Sequence, residues 1–508
     1  MKYVIGIDLG TSATKTILVN EQGETVASAE HSYPMYQPHN GWAEQDPHDW
    51  RNAVLDTLKA VVEKTGVKSE DVKGIGLSGQ MHGSVLLDEN GETIGNTILW
   101  CDQRSSAQVD EMLEALPMEK WLEISANPPL AAWTAAKILW IRENEPEKFK
   151  KCRHILLPKD YIRYVLTGVF ATDVSDATGM QLLDVKNRCW SEEILDALKI
   201  DKNLLGKVYE SQEVTGTLLP EIAEQCGLSK DTVVVAGGSD NACAGVGTGV
   251  VHEGQAFVTL GTSSVVYSHF DKYISIPEGG LHVCCCAVPG CWHSMGGPMS
   301  AGLSVEWFKD KFCQDLIERA KKEGKSFYSL LTELVEKIPV GSEKLIYLPF
   351  LMGERTPHMD PLYRGAFLGL NTVHTQAHML RAIMEGVVFC LADCNDLLKD
   401  QGIEITSLRA CGGGSTSPVY RKMLADLFRC GIHTLANKEG GAAFGAAILA
   451  GVGAGIYPSV REACDKFIQE QDTMDFDPAE ADLYEKYHAV YDQMYDALKK
   501  SFTDLAHI

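Results

Sequence analysis

The chain has 508 residues, of which 45% are hydrophobic and 23% are charged, and its formal net charge at pH 7 is −23. This length exceeds one compact core, so we expect two or three domains of a soluble globular protein. The acidic balance argues against a nucleic-acid surface, which needs clustered Lys and Arg. The sequence contains neither a window as long as a membrane span nor a signal-peptide pattern, so we expect a cytoplasmic protein that binds no membrane.

Two similar segments lie about half a chain apart. Residues 4–19 contain two β-rich runs joined by a Leu-Gly-Thr-Ser turn, and residues 257–267 repeat this arrangement. The pattern indicates a β-hairpin. Its repetition predicts two homologous halves, which we place at residues 1–248 and 249–508.

Helical and strand-like patterns alternate around these hairpins. Helices are predicted at residues 49–64, 241–251, 377–393, 440–450 and 479–501, and strands at residues 72–77, 232–236 and 408–414. Such alternation is typical of an α/β architecture with mixed sheets.

The first hairpin turn is a candidate phosphate site. Glycine at Gly10 permits close backbone approach, so that amides and the Thr11 and Ser12 hydroxyls converge on phosphate oxygens. Asp8 precedes the turn, where its carboxylate could hold a hydrated magnesium ion. An ordinary β-hairpin with a polar tip is the alternative for Gly10 and Thr11.

Three strand ends carry polar side chains. Gln80, Met81 and His82 follow the strand at residues 72–77, and the second and third groups are residues 100–104 and 353–358. Strand ends of α/β proteins present side chains to ligands, and His with Gln can contact hydroxyls. A lone His is otherwise a loop residue with satisfied hydrogen bonds.

Asp240 follows the strand at residues 232–236 and opens a helix. A carboxylate in this position caps the helix. It could equally serve as a general base for a hydroxyl, since the helix N-terminus stabilises the anion.

Gly412, Gly413 and Gly414 lie between a strand and a helix, the layout that holds a nucleotide against the backbone. The segment is neither GxGxxG nor a P-loop, so a tight turn remains the alternative.

The cysteine cluster at Cys284, Cys285, Cys286 and Cys291 does not resemble a zinc site. Three adjacent cysteines cannot space ligands as paired CxxC motifs do. We therefore interpret these residues as buried or half-buried thiols in a strand.

Together these motifs resemble the FGGY carbohydrate kinases over nearly the whole chain. The turns at residues 6–12 and 260–263 are similar to the phosphate motifs of that family. Residues 133–140 resemble one family signature, and residues 365–370 with 378–385 the other. Residues 80–83, 157–161 and 353–358 are similar to segments of members that act on D-xylulose.

The resemblance implies two actin-like domains of the ribonuclease-H type, with mixed sheets flanked by helices and a cleft between them. It implies ATP and Mg²⁺ as cofactors, phosphorylation of D-xylulose to D-xylulose 5-phosphate, and a homodimer. It makes Asp240 the catalytic base and Asp8 the metal residue. The implied sugar contacts are Gln80, Met81, His82, Trp100, Asp102 and Asn241. The implied nucleotide contacts are Gly10, Thr11, Ser12, Lys15, Gly261, Thr262, Gly412, Gly413, Gly414 and Ser417.

Two positions depart from the family pattern: Ser417 stands where many members carry Asn, and Ala132 opens the first signature. Three alternatives stay open. The chain could phosphorylate ribulose, gluconate, a hexulose or glycerol, or it could be an actin-like ATPase that ignores sugars. A sugar-sensing regulator without catalysis is the third, and the presence of both Asp8 and Asp240 argues against it.

Overall fold

The computed structural model describes residues 1–276, 280–436 and 441–508. Its helices are α1 Pro47–Thr65, α2 Ser106–Ala115, α3 Met118–Ser125, α4 Thr134–Asn144, α5 Pro146–Lys151, α6 Pro158–Thr167, α7 Val174–Thr178, α8 Glu192–Leu198, α9 Pro220–Cys226, α10 Asp240–Gly247, α11 Gly302–Phe312, α12 Gln314–Glu323, α13 Phe327–Val335, α14 Gln376–Asp400, α15 Pro418–Phe428, α16 Ala442–Gly453, α17 Val460–Phe467 and α18 Pro478–Ala506.

The strands are β1 Tyr3–Leu9, β2 Ala13–Asn20, β3 Thr25–Ser32, β4 Glu44–Gln45, β5 Val72–Gly79, β6 Val85–Leu87, β7 Thr97–Ile98, β8 His154–Leu156, β9 Ala171–Asp173, β10 Leu183–Asp184, β11 Cys189–Trp190, β12 Lys207–Tyr209, β13 Val214–Thr217, β14 Val233–Val235, β15 Gly238–Ser239, β16 Gln255–Leu260, β17 Ser264–Phe270, β18 His282–Cys285, β19 Trp292–Gly296, β20 Ile346–Leu348, β21 Ala366–Leu368, β22 Ser407–Cys411, β23 Gly431–Leu435 and β24 Glu470–Met474.

Two seven-stranded sheets share one topology. The first has the order β13-β14-β5-β1-β2-β3, with β15 beside β5, and the second has β24-β23-β22-β16-β17-β19-β18. In each sheet a central antiparallel hairpin, β1–β2 or β16–β17, has a parallel strand beside its first member, β5 or β22. A second parallel strand and an antiparallel edge strand complete that side. The predicted repetition of the hairpin is therefore a repetition of six strands, and β15 and β18 are the strands in which the two sheets differ.

The first sheet is covered on both faces. Ile5 and Ile7 of β1 belong to the same core cluster as Trp50 of α1. Val4, on the opposite face, belongs to a cluster with Ala447 of α16. Because both faces are buried, β1 reads as an almost continuous apolar run and shows no alternation.

Helix α16 belongs to the second half of the chain but packs on the sheet of the first half. A Cβ atom on Gly6 or Gly76 would lie 1.9 Å from a carbonyl oxygen of α16, so only glycine allows this approach. Helices α10 and α16 cross equally closely, since a Cβ on Gly445 would lie 1.9 Å from the Cys243 carbonyl oxygen. The division of the chain at residue 248 stays a prediction. Helix α16 comes after that residue in the sequence but packs on the sheet that comes before it.

The predicted elements match the observed ones with small shifts at their ends. The helix predicted for residues 241–251 ends at Gly247, and Gly249 adopts a left-handed φ of 73°. The glycine segment forms a short 3₁₀ helix at Gly413–Thr416 before α15 begins. Residue 440, the predicted start of another helix, lies outside the described residues. All four clustered cysteines are buried, two of them within β18. Within the described ranges, no helix is long and apolar enough to cross a membrane.

The crossing of α10 and α16 generates a stability prediction. Gly445→Ala should lower the free energy of unfolding by about 3 kcal/mol, since the new methyl group forces two backbones apart. Urea unfolding followed by circular dichroism measures this change. Gly216→Ala is the matched control, because its nearest atoms are side-chain atoms at 3.3 Å. Equal midpoints for the two variants would contradict the close crossing.

Candidate active site

Asp8 lies near the end of β1, beside the parallel strand β5. Its Oδ1 accepts a hydrogen bond of 2.8 Å from the Ser78 hydroxyl, and Lys15 is its cross-strand neighbour in β2. Burial raises the pKa of Asp8, and the Ser78 hydrogen bond and the Lys15 charge oppose that rise. A half-buried carboxylate therefore lies near the C-terminal end of β1, next to the first glycine turn.

Asp240 is the first residue of α10 and is not its cap. The cap is Ser239, whose Oγ accepts a hydrogen bond from the Ala242 amide. The Asp240 carboxylate instead accepts bonds from the Asn241 amide at 2.7 Å and from its side-chain nitrogen at 3.0 Å. Burial and then the charge of Asp8 raise the pKa of Asp240 to about 7. The two carboxylates thus share one site, and the capping alternative does not account for Asp240.

A buried charge cluster supports the start of α10. The Lys159 ammonium group lies 2.6 Å from Asp160, 2.9 Å from Asp173 and 3.5 Å from Asp176. Asp173 accepts a hydrogen bond from the Ser175 hydroxyl, and that hydroxyl accepts one from the Ser239 amide over 2.9 Å. The cluster therefore fixes the residue directly before Asp240.

His82 is held as a neutral acceptor. Its Nδ1 lies 3.0 Å from the Gly179 carbonyl oxygen, so Nδ1 carries the proton and Nε2 keeps its lone pair. The ring stacks on Trp133 with centroids 4.7 Å apart. Burial, together with the nearby charges of Lys137 and His282, lowers the pKa of His82 to about 3. Beside it, the Met81 sulfur lies 3.9 Å from the Asn241 side-chain nitrogen, which links this pocket to Asp240.

Two residues of α4 fix the backbone of His82, which has an uncommon left-handed φ of 67°. Its carbonyl oxygen accepts hydrogen bonds from the Thr134 hydroxyl at 3.1 Å and from the Lys137 ammonium group at 3.2 Å. Lys137 also donates to the Ala132 carbonyl oxygen. Burial lowers the pKa of Lys137 to about 7. The first signature segment therefore holds the conformation of this pocket.

Three residues predicted to contact sugar also hold the loops around the pocket, and their contact with sugar stays a prediction. Asp102 is fully buried, and its carboxylate accepts hydrogen bonds from the Ala43 amide and the Arg104 guanidinium group. Gln80 is also buried and donates to the Gly10 carbonyl oxygen and to Gln45, so it braces the phosphate turn.

Trp100 is 44% exposed and donates to the Thr11 hydroxyl over 3.0 Å. Polar residues after a strand can thus hold the loop itself.

Each of the two glycine turns is closed by a hydrogen bond from its glycine amide, although the second turn is one residue tighter. The Gly10 amide donates to the Ala13 carbonyl oxygen at 3.0 Å, and the Gly261 amide donates to the Ser263 carbonyl oxygen at 3.1 Å. Helix α11 begins on the second turn, where the Gly302 amide donates to the Gly261 carbonyl oxygen over 2.9 Å.

A cavity of about 750 Å³ opens beside the second turn. This volume is in the range of small-molecule and cofactor sites. Of the predicted nucleotide contacts, the cavity is lined by Gly261, Thr262, Gly413, Gly414 and Ser417. Gly412 lies behind them, with a φ of 82° and the Leu260 backbone directly against it. Gly10, Thr11, Ser12 and Lys15 do not line this cavity and belong to the first hairpin, near Asp8.

Family comparisons agree with this arrangement of two turns and a cleft. The N-terminal domain of the FGGY family of carbohydrate kinases matches residues 3–247, and its C-terminal domain matches residues 256–454. The chain belongs to the FGGY family of carbohydrate kinases.

Full-length relatives and a solved structure resemble this FGGY kinase. The xylulose kinase of Bacillus subtilis (strain 168) is 39% identical over 492 residues, which cover 97% of this chain and 96% of the relative. The xylulose kinase of Escherichia coli (strain K12) is 39% identical over 468 residues, covering 92% and 93%. The crystal structure of a xyloylose kinase from Brucella ovis superposes with a TM-score of 0.90 at 34% identity, covering 98% and 99%.

Some residues that shape the site lie within the family signatures, but the sequence analysis assigned them no role. Trp133, Thr134 and Lys137 lie in the first signature and support His82, and Lys159 lies in the segment at residues 157–161. A buried lysine in an apolar helical run was the available signal, because burial of a cation requires partners.

Lys137 is predicted to position the sugar pocket of this FGGY kinase. Lys137→Met keeps the apolar stem but removes a donor to the His82 carbonyl oxygen, so the KM for sugar should rise about tenfold, the loss of roughly one hydrogen bond to a charged group. The KM for ATP should stay unchanged. Steady-state kinetics with the best sugar substrate measure both values. Lys68→Met, at an exposed lysine, is the control, and an unchanged sugar KM in Lys137→Met would refute the positioning role.

Proposed function

We propose that this FGGY kinase transfers the γ-phosphoryl group of ATP to O5 of D-xylulose and forms D-xylulose 5-phosphate. The observation that carries the proposal is the placement of Asp240. On one side, Asn241 and Met81 connect Asp240 to the pocket of the neutral His82. On the other side lies the carboxylate of Asp8, beside the first glycine turn. The names of the two xylulose kinases at 39% identity support the choice of sugar.

Asp240 is proposed to accept the proton of the attacking hydroxyl. Its pKa of about 7 in the free protein lies near a physiological pH, where a general base combines sufficient ionisation with sufficient basicity. In a loose phosphoryl-transfer transition state the proton leaves late, so a carboxylate is a strong enough base. The hydrogen bonds from Asn241 aim the carboxylate and stabilise its ionised form.

The residues of the cleft fit a magnesium ion. Asp8 and Asp240 are half-buried carboxylates whose mutual repulsion contributes to the raised pKa of Asp240, and such a site favours a divalent cation. Asp8 would hold the ion through its carboxylate, with Ser78 and Lys15 keeping that carboxylate oriented. When bound with ATP, magnesium supplies positive charge to the phosphate oxygens.

The electrostatics of the pocket favour a neutral sugar over an aldonate such as gluconate. Burial lowers the pKa of His82 to about 3 and that of His282 to about 4, so both imidazoles are neutral at pH 7. Lys137 is bound to two carbonyl oxygens, and Arg355 donates to the carbonyl oxygens of Gly297 and Ser264. A gluconate carboxylate would need a cationic side chain as its partner, and Lys137 and Arg355 already donate to backbone carbonyl oxygens.

Cytoplasmic location and a homodimer remain predictions that accompany this proposal. The cytoplasmic location is supported by the use of ATP, because the enzyme must work in a compartment that supplies ATP. Size-exclusion chromatography with light scattering tests the second.

The proposal predicts that Asp240→Asn lowers kcat with D-xylulose about 10²–10⁴-fold, the usual value of general-base assistance. The variant should stay folded. At pH 8 it should be at least as stable as the natural protein, because Asn removes a carboxylate whose ionisation opposes folding once the pH exceeds its unfolded pKa. ADP release with MgATP measures the rate, and thermal unfolding measures the stability.

Asp231→Asn, at an exposed loop aspartate, is the matched control and should keep full activity. The assay includes ribulose, gluconate, glycerol and hexuloses. Faster turnover of another sugar would keep the mechanism and replace the substrate. ATP hydrolysis that no sugar stimulates would contradict the kinase proposal and favour an actin-like ATPase.

The raised pKa of Asp240 predicts a pH dependence. The base must be ionised, so kcat/KM for D-xylulose should be constant above about pH 7 and fall about tenfold for each pH unit below it. A pH–rate profile from pH 5 to 9 measures this limb. A limb centred near the ordinary aspartate value, below pH 5, would be inconsistent with Asp8 and Asp240 sharing the site.

A further inference from the structure

A group of sulfur and charged side chains surrounds the turn between β18 and β19, and the proposed kinase reaction uses none of them. Cys286 follows β18, Cys291 precedes β19, and the Cys286 amide donates to the Cys291 carbonyl oxygen over 3.1 Å. The last pair of the β18–β19 ladder is Cys285 opposite Trp292. The next residues along the two strands, Cys286 and Cys291, are therefore direct cross-strand neighbours. Directly opposed residues of antiparallel strands have Cα atoms about 4.5–5.5 Å apart. This spacing is in the range that a disulfide spans, roughly 4.4–6.8 Å.

The two cysteines lie on the same face of the hairpin, because cross-strand neighbours share a face, and both are free. The Cys286 thiol donates a hydrogen bond to the Val288 carbonyl oxygen over 3.4 Å. Cys286 also lies 3.7 Å from Nδ1 of His269. The backbone spacing of this pair is therefore compatible with a bond between its sulfurs.

Arg461 of α17 supplies a cation to this group. Its Nη2 lies 3.3 Å from the Cys291 sulfur and 3.5 Å from Nε2 of His269, and it also donates to Asp271. These three neighbours have the spacing of metal ligands. The guanidinium nitrogen already contacts all three, so the group is built to stabilise an anion and not to collect a metal.

The groups around Cys291 make the two cysteines chemically different. Hydrogen bonding from Cys286, then from His269, lowers the pKa of Cys291 to about 5 against the opposing effect of burial, and Arg461 acts in the same direction. Burial raises the pKa of Cys286 well above its usual value. Asp271 accepts from Cys291 when it is a thiol, and Arg461 takes over when it is a thiolate. The charged and titratable groups that face the pair in the described residues are His269, Asp271, Arg188, Tyr267 and Arg461.

We propose that Cys291 and Cys286 are a hydroperoxide-reactive pair that forms a reversible disulfide. The Cys291 thiolate attacks a peroxide oxygen, so that an S–O bond forms while the O–O bond breaks and hydroxide leaves. The Cys286 sulfur then attacks the Cys291 sulfur, the S–S bond forms, the S–O bond breaks, and the leaving hydroxide takes the Cys286 proton as water. The two sulfurs lose two electrons in total, and these reduce the hydroperoxide. A dithiol reductant reverses the change.

Solvent reaches the charged side chains beside this pair. Cys291 itself is only 6% exposed, but the side chains of Arg461 and Asp271, both in contact with its sulfur, are 34% and 39% exposed. A hydroperoxide is small enough to enter where these side chains move aside. The opposite end of the same hairpin pairs His282 with Met295, and Met295 packs with Met81 of the proposed sugar pocket.

Peroxide treatment of the full-length protein tests the proposal. Hydrogen peroxide at a small molar excess should remove two hydrogen atoms per chain and protect two thiols from alkylation, and dithiothreitol should restore both. Fragmentation mass spectrometry should assign the link to Cys286 and Cys291. Cys189→Ser, at an exposed cysteine, is the control and should form the same link. A chain that keeps both thiols, or a link that joins other cysteines, would overturn the proposal.

Two variants separate the roles of the cysteines. Cys286→Ser should leave a sulfenic acid on Cys291 that a cyclic diketone traps, and Cys291→Ser should give neither the link nor the trapped product. Trapping at Cys286 in the Cys291→Ser protein would mean that the order of attack is wrong.

Alkylation of the natural protein provides a readout that needs no cysteine variant. Cys291 should react at pH 6 within about twofold of its rate at pH 8, because it is already a thiolate, whereas Cys189 should slow about tenfold per pH unit. Arg461→Gln should slow Cys291 at pH 6 by at least about threefold and leave Cys189 unchanged. Parallel pH profiles for the two cysteines would overturn the assignment.

Discussion

The close crossing of α10 and α16 is the contact on which the geometry of the cleft depends. Helix α10 begins at Asp240, and its backbone meets α16 at Cys243 and Gly445 without side chains between them. Helix α16 in turn lies directly on β1 and β5, with glycines of both strands against its carbonyl groups. Asp240 and Asp8 are therefore positioned relative to each other through backbone contacts, which are stiffer than side-chain contacts.

That rigidity explains how two like charges can share a half-buried site. Carboxylates that could move apart would do so, and the pKa of Asp240 would return toward its ordinary value. Here the strand and the helix hold them together, and the bonds from Ser78 and Asn241 orient them. The free protein thus keeps two carboxylates whose repulsion a cation would relieve. This repulsion lowers the stability of the fold, but the site is already formed before the ligand binds.

Local patterns in the sequence were sufficient to predict the sheets, the two turns and the candidate base. The Leu-Gly-Thr-Ser turn occurs twice, so the repeat was visible, and Asp240 stands directly after an apolar strand. The position of α16 on the first sheet was not predictable, because a contact between residues 6 and 443 leaves no periodic signal in either segment. The buried role of Asp102 was hidden for a similar reason. A carboxylate after a strand looks the same whether it faces a ligand or its own loop, and only the placement of Ala43 and Arg104 distinguishes the two.

The position of α16 also constrains the order in which the chain acquires its structure during synthesis. Ribosomes release the first sheet early, but the helix that covers one of its faces is encoded more than 350 residues after β5. Until that helix emerges, Val4, Ile17 and Val19 have no partners from α16. The first half is consequently an incomplete folding unit, and its exposed apolar face must be kept from other nascent chains until translation is almost finished.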